Sequence, residues 1–206
     1  MDRGNLDGDD GAGLGELFKP KERAVLYVDD EPLSLKNFVK AFGQEFWILT
    51  ASNAREAMAL LHEHAGAVGV LMTDQNMPGE KGLWLLQQAR DLDPLVVRIL
   101  ATASCDWSAV LEAMKLGLFC FIPLPWEPEQ IPHLLRRALR LHALQRQVMQ
   151  GQSAGELSSG DFVERLNALR ACFRDPELPG TPLALYKVIS GEGGKTPSPN
   201  REPSPR

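Results

Sequence analysis

Cysteine is scarce in this chain. Cys105, Cys120 and Cys172 are the only three in 206 residues, an odd number, widely spaced and without a CxxC pair. That excludes a disulfide framework and a four-cysteine zinc site, and it fits a reducing, cytoplasmic setting. Long apolar runs are lacking too. No stretch approaches the ~20 residues that cross a bilayer, so no membrane partner is expected. From Met1 to Leu14 the chain is rich in Gly and Asp, with no apolar stretch after Arg3, so this segment does not read as a secretory signal. Positive charge is in deficit. Lys and Arg total 22 against 27 Asp and Glu, a formal charge of -5. A surface committed to nucleic acid is therefore not expected.

What is present is globular in character, with 44% hydrophobic and 24% charged residues. Residues 1–21 read as a flexible arm, because glycines interleave with Asp7, Asp9 and Asp10. Order is expected from residue 22 to 145. Ala24–Val28 is a short apolar run of the kind that forms a buried strand. Pro32 suits a helix start, with Leu35, Phe38, Val39 and Phe42 at helical spacing up to Gly43. The alternation then repeats: strand at Phe46–Thr50, helix from a Ser52 or Asn53 cap, strand from Val68 ending at Thr73-Asp74, helix at Leu83–Ala89. A β-branched strand follows at Leu95–Leu100, a helix at Trp107–Leu116 ended by Gly117, and a strand at Phe119–Ile122. A last, extended helix is expected from Glu127-Pro128 to about Gln150, with Pro132 kinking or delaying it. Residues 146–190 read as helix extension, a Gly/Ser linker and a short helix carrying Phe162, Leu166, Leu169 and Phe173. In residues 191–206, seven of sixteen are Gly or Pro, and disorder is expected.

Five strands alternating with helices imply an α/β fold, a parallel sheet with helices on both faces. Ligands of such sheets sit beyond the C-terminal strand ends. Strand one ends in Asp29-Asp30 and strand three in Asp74. With strand order 2-1-3-4-5 these are neighbours at the topological switch point. Two like charges 4 Å apart repel by ~4 kcal/mol at an effective dielectric of 20. A hard divalent cation relieves that repulsion, and Mg²⁺ takes oxygen ligands while keeping several waters. A carboxylate left free to act can attack phosphorus and form an acyl phosphate. Strand four ends in Ala101-Thr102, which puts a hydroxyl beside the same crevice.

These strings, in this order, resemble the receiver domain of the response-regulator (two-component, phosphorelay) family, with its flavodoxin-like doubly wound sheet. The resemblance spans about residues 22 to 145. Val28-Asp29-Asp30-Glu31 resembles the family's acidic pair, and the segment Leu71 to Gly79 resembles that around its phosphoacceptor. The resemblance implies Asp74 as phosphoacceptor, Asp30 as a direct Mg²⁺ ligand, Asp29 acting through water and the Asn76 main-chain carbonyl completing the site. It further implies Thr102 as the switch hydroxyl and Phe121 as the switch aromatic. Pro125-Trp126 resembles the motif that opens the last helix. One position departs: Leu124 stands where the family has a lysine that pairs with the phosphoryl group. Leucine offers no charge to the roughly two negative charges of a phosphoryl group.

The implied partners are a histidine kinase or phosphotransfer protein, and a downstream protein, with Mg²⁺ as cofactor. Since no DNA-binding or catalytic segment follows residue 145, the expectation is a stand-alone phosphoacceptor signalling protein rather than an enzyme. Leu124 motivates a second reading, a non-switching pseudo-receiver used as an interaction scaffold. A phosphatase of the same layered fold is a third reading. In the last helix, Ile131, Leu134, Ala138, Leu141 and Val148 are spaced near a heptad. One reading packs this stripe on the sheet; the other has the part past Leu139 protrude and pair with a second copy. His62 and His64 read as surface residues, since this spacing turns their rings to different sides of a helix. His133 and His142 also read as surface residues, and the cysteines as small core residues.

Overall fold

The computed structural model describes residues 21–102, 112, 113, 115 and 117–154, the last four as backbone only. The expected arm, the helix at Trp107–Leu116 save three of its residues, and the short helix and tail from 155 onward lie outside the described residues; of the linker expected after Gln150, residues 151–154 continue the last helix instead. The elements run β1 (Ala24–Val28), α1 (Pro32–Phe42), β2 (Trp47–Ala51), α2 (Ala54–Glu63), β3 (Val68–Asp74), α3 (Gly82–Leu92), β4 (Val97–Thr102), β5 (Cys120–Pro123) and α4 (Gln130–Ala154). The sheet is parallel in the order β2-β1-β3-β4-β5, the doubly wound topology expected from the alternation.

Both sheet faces are buried, as parallel strands require. Val25, Tyr27, Val70, Met72 and Ile99 face one core with Phe38 and Phe42 of α1 and Leu135, Ala138 and Leu139 of α4. Leu26, Val28, Leu71 and Leu100 face the other, with Ala57 and Leu61 of α2 and Leu85, Leu86 and Ala89 of α3. Local chemistry sets the helix starts. Pro32 opens α1, and the Asn53 side chain caps α2 by accepting from the Glu56 N–H at 2.9 Å.

Several boundaries differ from expectation, each for a visible reason. Phe46 is held in the α1–β2 turn, its N–H bonded to the Phe42 carbonyl at 3.0 Å, so β2 starts at Trp47. Leu95 donates its N–H to Asp93 Oδ1 and Val96 donates to the Asp93 carbonyl, so the turn runs on and β4 starts at Val97. The last helix opens at Gln130, not Glu127. Pro132 thus falls in its first turn, where a missing N–H costs no helical bond, and it delays the helix rather than kinking it.

The reading in which α4 leaves the body after Leu139 is overturned. Leu141 and Leu144 are 2% and 4% exposed and belong to the chain's own core. Beyond them, Arg146 pairs with Asp93 at 2.8 Å. The stripe offered for a second copy is therefore already covered, through Leu144, by this chain's own sheet. His142 is corrected in the same way: it is fully buried. It can approach the sheet because residue 69 is glycine. A Cβ there would lie 3.0 Å from Leu139 Cδ2 and 3.2 Å from His142 Nδ1.

His142 Nε2 accepts from Arg146 Nε at 3.2 Å, while Nδ1 has no hydrogen-bond partner among the described residues. Burial first, then the charges of Arg146 and Arg23, lower its pKa from 6.5 to about 4, against a smaller upward pull from Asp93. The folded chain keeps this imidazole neutral where the unfolded chain protonates it. Its contribution is therefore whole above pH 6.5 and declines as pH falls towards 4, by up to about 3 kcal/mol. Urea unfolding at pH 7 and pH 5 should show a larger loss for the native chain than for His142→Gln. Equal losses would contradict this account.

Candidate functional site

The C-terminal ends of β1, β3 and β4 meet at one edge of the sheet. Val28 pairs with Thr73, and Asp74 with Ala101. Asp29 and Asp30 follow directly on β1, Asp74 is the last residue of β3 and Thr102 the last of β4. The crevice lies where order 2-1-3 reverses the direction of the connections. Asp29, Asp74 and Thr102 are buried at 7%, 9% and 6% exposure, whereas Asp30 is exposed.

Asp74 is shaped by burial and by its own loop. The Asn76 N–H donates to its Oδ2 at 2.9 Å. Burial raises its pKa, the Asn76 and Gln75 N–H groups lower it, and the negative charges of Asp29 and Asp30 raise it further. The net direction is upward. Its charged neighbours on this account are both acidic. The three carboxylates are thus near enough to feel one another, although no group of three His, Cys, Asp or Glu side chains among the described residues closes into a metal-binding cluster.

Asp29 is engaged by donors of its own. Its Oδ2 accepts from the Tyr27 hydroxyl and the Ser34 hydroxyl, each at 2.7 Å, and its Oδ1 from the Glu31 N–H at 2.9 Å. Tyr27 and Ser34 are site neighbours that the sequence reading missed. The signal was available: Tyr27 lies two residues before Asp29, hence on the same face of the strand, and is a hydroxyl in an otherwise apolar run.

The remaining predicted residues flank this crevice. Phe121 is half-buried on the α2/α3 side. Leu124 is half-buried on the α1/α4 side, its N–H donating to the Thr102 carbonyl at 3.0 Å. Lys81 donates its Nζ to the Met77 carbonyl at 3.1 Å. Lys115 is exposed. His62 is exposed, and His64 lies T-shaped to Trp47 with ring centroids 6.1 Å apart. Cys120 is buried, which pushes its thiol pKa up and leaves it inert.

The donor set suits a hard cation. It is all oxygen, and Mg²⁺ is commonly held by only one or two carboxylates with several waters retained. Asp30 and Asp74, with a loop carbonyl such as that of Asn76, supply that minimum.

A doubly wound α/β sheet with acidic residues at its switch point defines a flavodoxin-like class of protein. The family model of the response regulator receiver domain matches residues 25–136, and the chain belongs to that family. Among curated relatives, the hydrogenase transcriptional regulatory protein HoxA of Cupriavidus necator is 34% identical over 126 residues, 61% of this chain and 26% of that one. The chain spans about a quarter of the length of the HoxA proteins it matches. A receiver domain protein from Clostridium thermocellum aligns with TM-score 0.55 and 24% identity, covering 62% of this chain and 98% of that one. A chain of the CheX-CheY-BeF3-Mg+2 complex from Borrelia burgdorferi aligns with TM-score 0.51 and 24% identity, over 54% of this chain and 84% of that one. At these identities the two structures show the fold.

One backbone contact keeps the Asp74 loop in place. The Gly82 N–H donates to the Gln75 carbonyl at 3.2 Å, and Gln75 Oε1 accepts from the Leu83 N–H at 3.0 Å. A Cβ on Gly82 would lie only 2.2 Å from the Asp74 carbonyl oxygen. Gly82→Ala should therefore push α3 off the loop and destabilise the chain by about 1–3 kcal/mol, measured by urea unfolding. An unchanged midpoint would show that α3 does not seat there.

Proposed function

We propose that this chain is a phosphoacceptor of two-component signalling, taking a phosphoryl group on Asp74 from a histidine kinase or phosphotransfer protein. The observation that supports it most is the setting of Asp74. It ends a buried strand at the switch point, is anchored by its own loop, and has two further acids beside it. An Asp74 carboxylate oxygen forms the new bond to phosphorus as the donor's bond to phosphorus breaks, and the leaving group keeps that electron pair. The Asn76 N–H fixes one carboxylate oxygen while the other attacks. The Thr102 hydroxyl, on the adjoining strand end, can donate to a phosphoryl oxygen. Mg²⁺, held by Asp30, Asp74 and the Asn76 carbonyl, would supply neutralisation of the phosphoryl charge.

The output is contact with a downstream protein, in a cytoplasmic setting. Among the described residues no helix is long and apolar enough to cross a membrane. The apolar stripe of α4 up to Leu144 is taken up by the chain's own core. A second reading has one observation in its favour. Leu124 packs on the core instead of offering a cation to the crevice. On that reading the domain is a scaffold that binds its partner whatever the state of Asp74.

Phosphodonor labelling separates the two. With acetyl phosphate and Mg²⁺ the native chain should acquire one hydroxylamine-labile phosphoryl group, and Asp74→Asn none. Label that survives Asp74→Asn would displace the assignment. In Leu124→Lys the restored cation should favour the phosphorylated conformation by about tenfold, worth ~1.4 kcal/mol, read as the structural response per phosphoryl group. A partner that binds native chain and Asp74→Asn equally well would favour the scaffold.

A further inference from the structure

We infer that Gln75, the residue after Asp74, is a positioning residue of the phosphoacceptor site. Through its main-chain and side-chain carbonyls it locks the start of α3 to the end of β3, and so holds the turn that delivers the Asn76 N–H to Asp74. This role rests on the reading of Asp74 as phosphoacceptor.

Helix α3 begins without a cap of its own. The first N–H groups of a helix have no partner within it, and Lys81, the residue before α3, gives no side-chain cap. The acceptors come from Gln75 instead. Its carbonyl accepts from the Gly82 N–H at 3.2 Å and its Oε1 from the Leu83 N–H at 3.0 Å, so one residue serves the first two positions of the helix. Its own N–H donates to the Ala101 carbonyl at 3.0 Å. Gln75 is thus bonded to β4 on one side and to α3 on the other. It is buried, at 8% exposure. There water competes little for these bonds, and a lost acceptor leaves the Leu83 N–H to be satisfied some other way.

The main chain at Asp74 is already fixed by the sheet. Asp74 pairs with Ala101, and Thr73 Oγ1 donates to the Asp74 carbonyl at 3.0 Å. What the sheet does not fix is the turn beyond, from which the Asn76 N–H reaches Asp74 Oδ2 at 2.9 Å. That turn leaves from Gln75 and returns to it at Gly82. Buried Met77 anchors its middle. Its remaining ties are weaker: Lys81 and Arg55 are exposed, so the Lys81 bond to the Met77 carbonyl and the Arg55–Glu80 pair compete with water. The closure is tight. A Cβ on Gly82 would lie 2.2 Å from the Asp74 carbonyl oxygen and 3.1 Å from Gln75 Cα. Helix α3 therefore seats directly on Asp74 and Gln75 with no side chain between, and a shift of α3 carries the turn with it.

The test is labelling of the whole chain by acetyl phosphate with Mg²⁺ in excess, acetate leaving with the electron pair of the broken bond, and urea unfolding in parallel. Gln75→Met keeps the length of the side chain and removes Oε1. It should lower the unfolding midpoint and slow labelling at saturating donor about tenfold, with the donor KM within about threefold; the fault is one of orientation, and a misplacement of ~1 Å can cost ~100-fold. Leu85→Val loosens the buried face of α3 without touching the turn. It should lower the midpoint and label at the native rate. A native saturating rate in Gln75→Met would overturn the role and leave Gln75 a helix cap, whatever the KM. So would an equal slowing in Leu85→Val. Gln75→Asn decides the matter if Gln75→Met does not fold: it withdraws the amide by one methylene and should show the same loss. If the native chain takes no label, the phosphoacceptor reading falls and this role with it. If the native chain takes label and the Gln75 variants label as fast, the role alone is wrong.

Discussion

The constraint on which this structure turns is electrostatic: negative charge is crowded at the end of a parallel sheet. β1 and β3 pair in register, so the acids that follow them are brought to one edge by the sheet itself. Each is accommodated by a different means. Asp29 is surrounded by donors, two hydroxyls and a backbone N–H. Asp74 has backbone N–H groups from its own loop, yet burial and its two acidic neighbours still leave its carboxyl pKa raised. Asp30 stays in water, where charge is cheap to keep. The fold therefore spends donors on Asp29 and leaves Asp74 the more loosely compensated of the buried pair, which suits the phosphoacceptor role proposed for it.

The architecture was legible in the sequence because its signals are short-range. Apolar runs of five to seven residues, Pro32 at a helix start and Asn53 at a cap each act within a few residues of themselves. The acids at the strand ends followed, since position at a strand end is also local. What stayed hidden depends on which residues meet across elements. Ser34 reads as an unremarkable helix residue until α1 brings it to Asp29. His142 reads as polar surface until the absent side chain at Gly69 lets it enter the core. Strand β4 begins late because Asp93 captures the next two N–H groups, a competition that β-propensity does not register.

The last helix shows the same limit on a larger scale. A near-heptad stripe serves equally for a sheet and for a second helix, because both ask only for apolar residues at that spacing. The polar residues decide here. Arg146 reaches Asp93, and Arg136 reaches Glu45 at 2.6 Å, so α4 is tied down on both sides of Leu141. Exposed ion pairs add little stability. Their value lies in register, since each has its partner only when the stripe faces this chain's own sheet.

Leu124 is best understood from the same balance of forces. Where the family places a cation, this chain places a side chain that joins the α1/α4 core. The segment's position is then set by packing, and by the backbone bond from Leu124 to the Thr102 carbonyl at 3.0 Å, neither of which depends on charge at Asp74. On the proposed reading, a phosphoryl group on Asp74 would have no tether on this segment through a side-chain ion pair. It can act on the segment only by way of β4, by moving Thr102 and with it the carbonyl to which Leu124 is bonded. On that reading, coupling between the crevice and the segment before α4 runs through the backbone at Thr102.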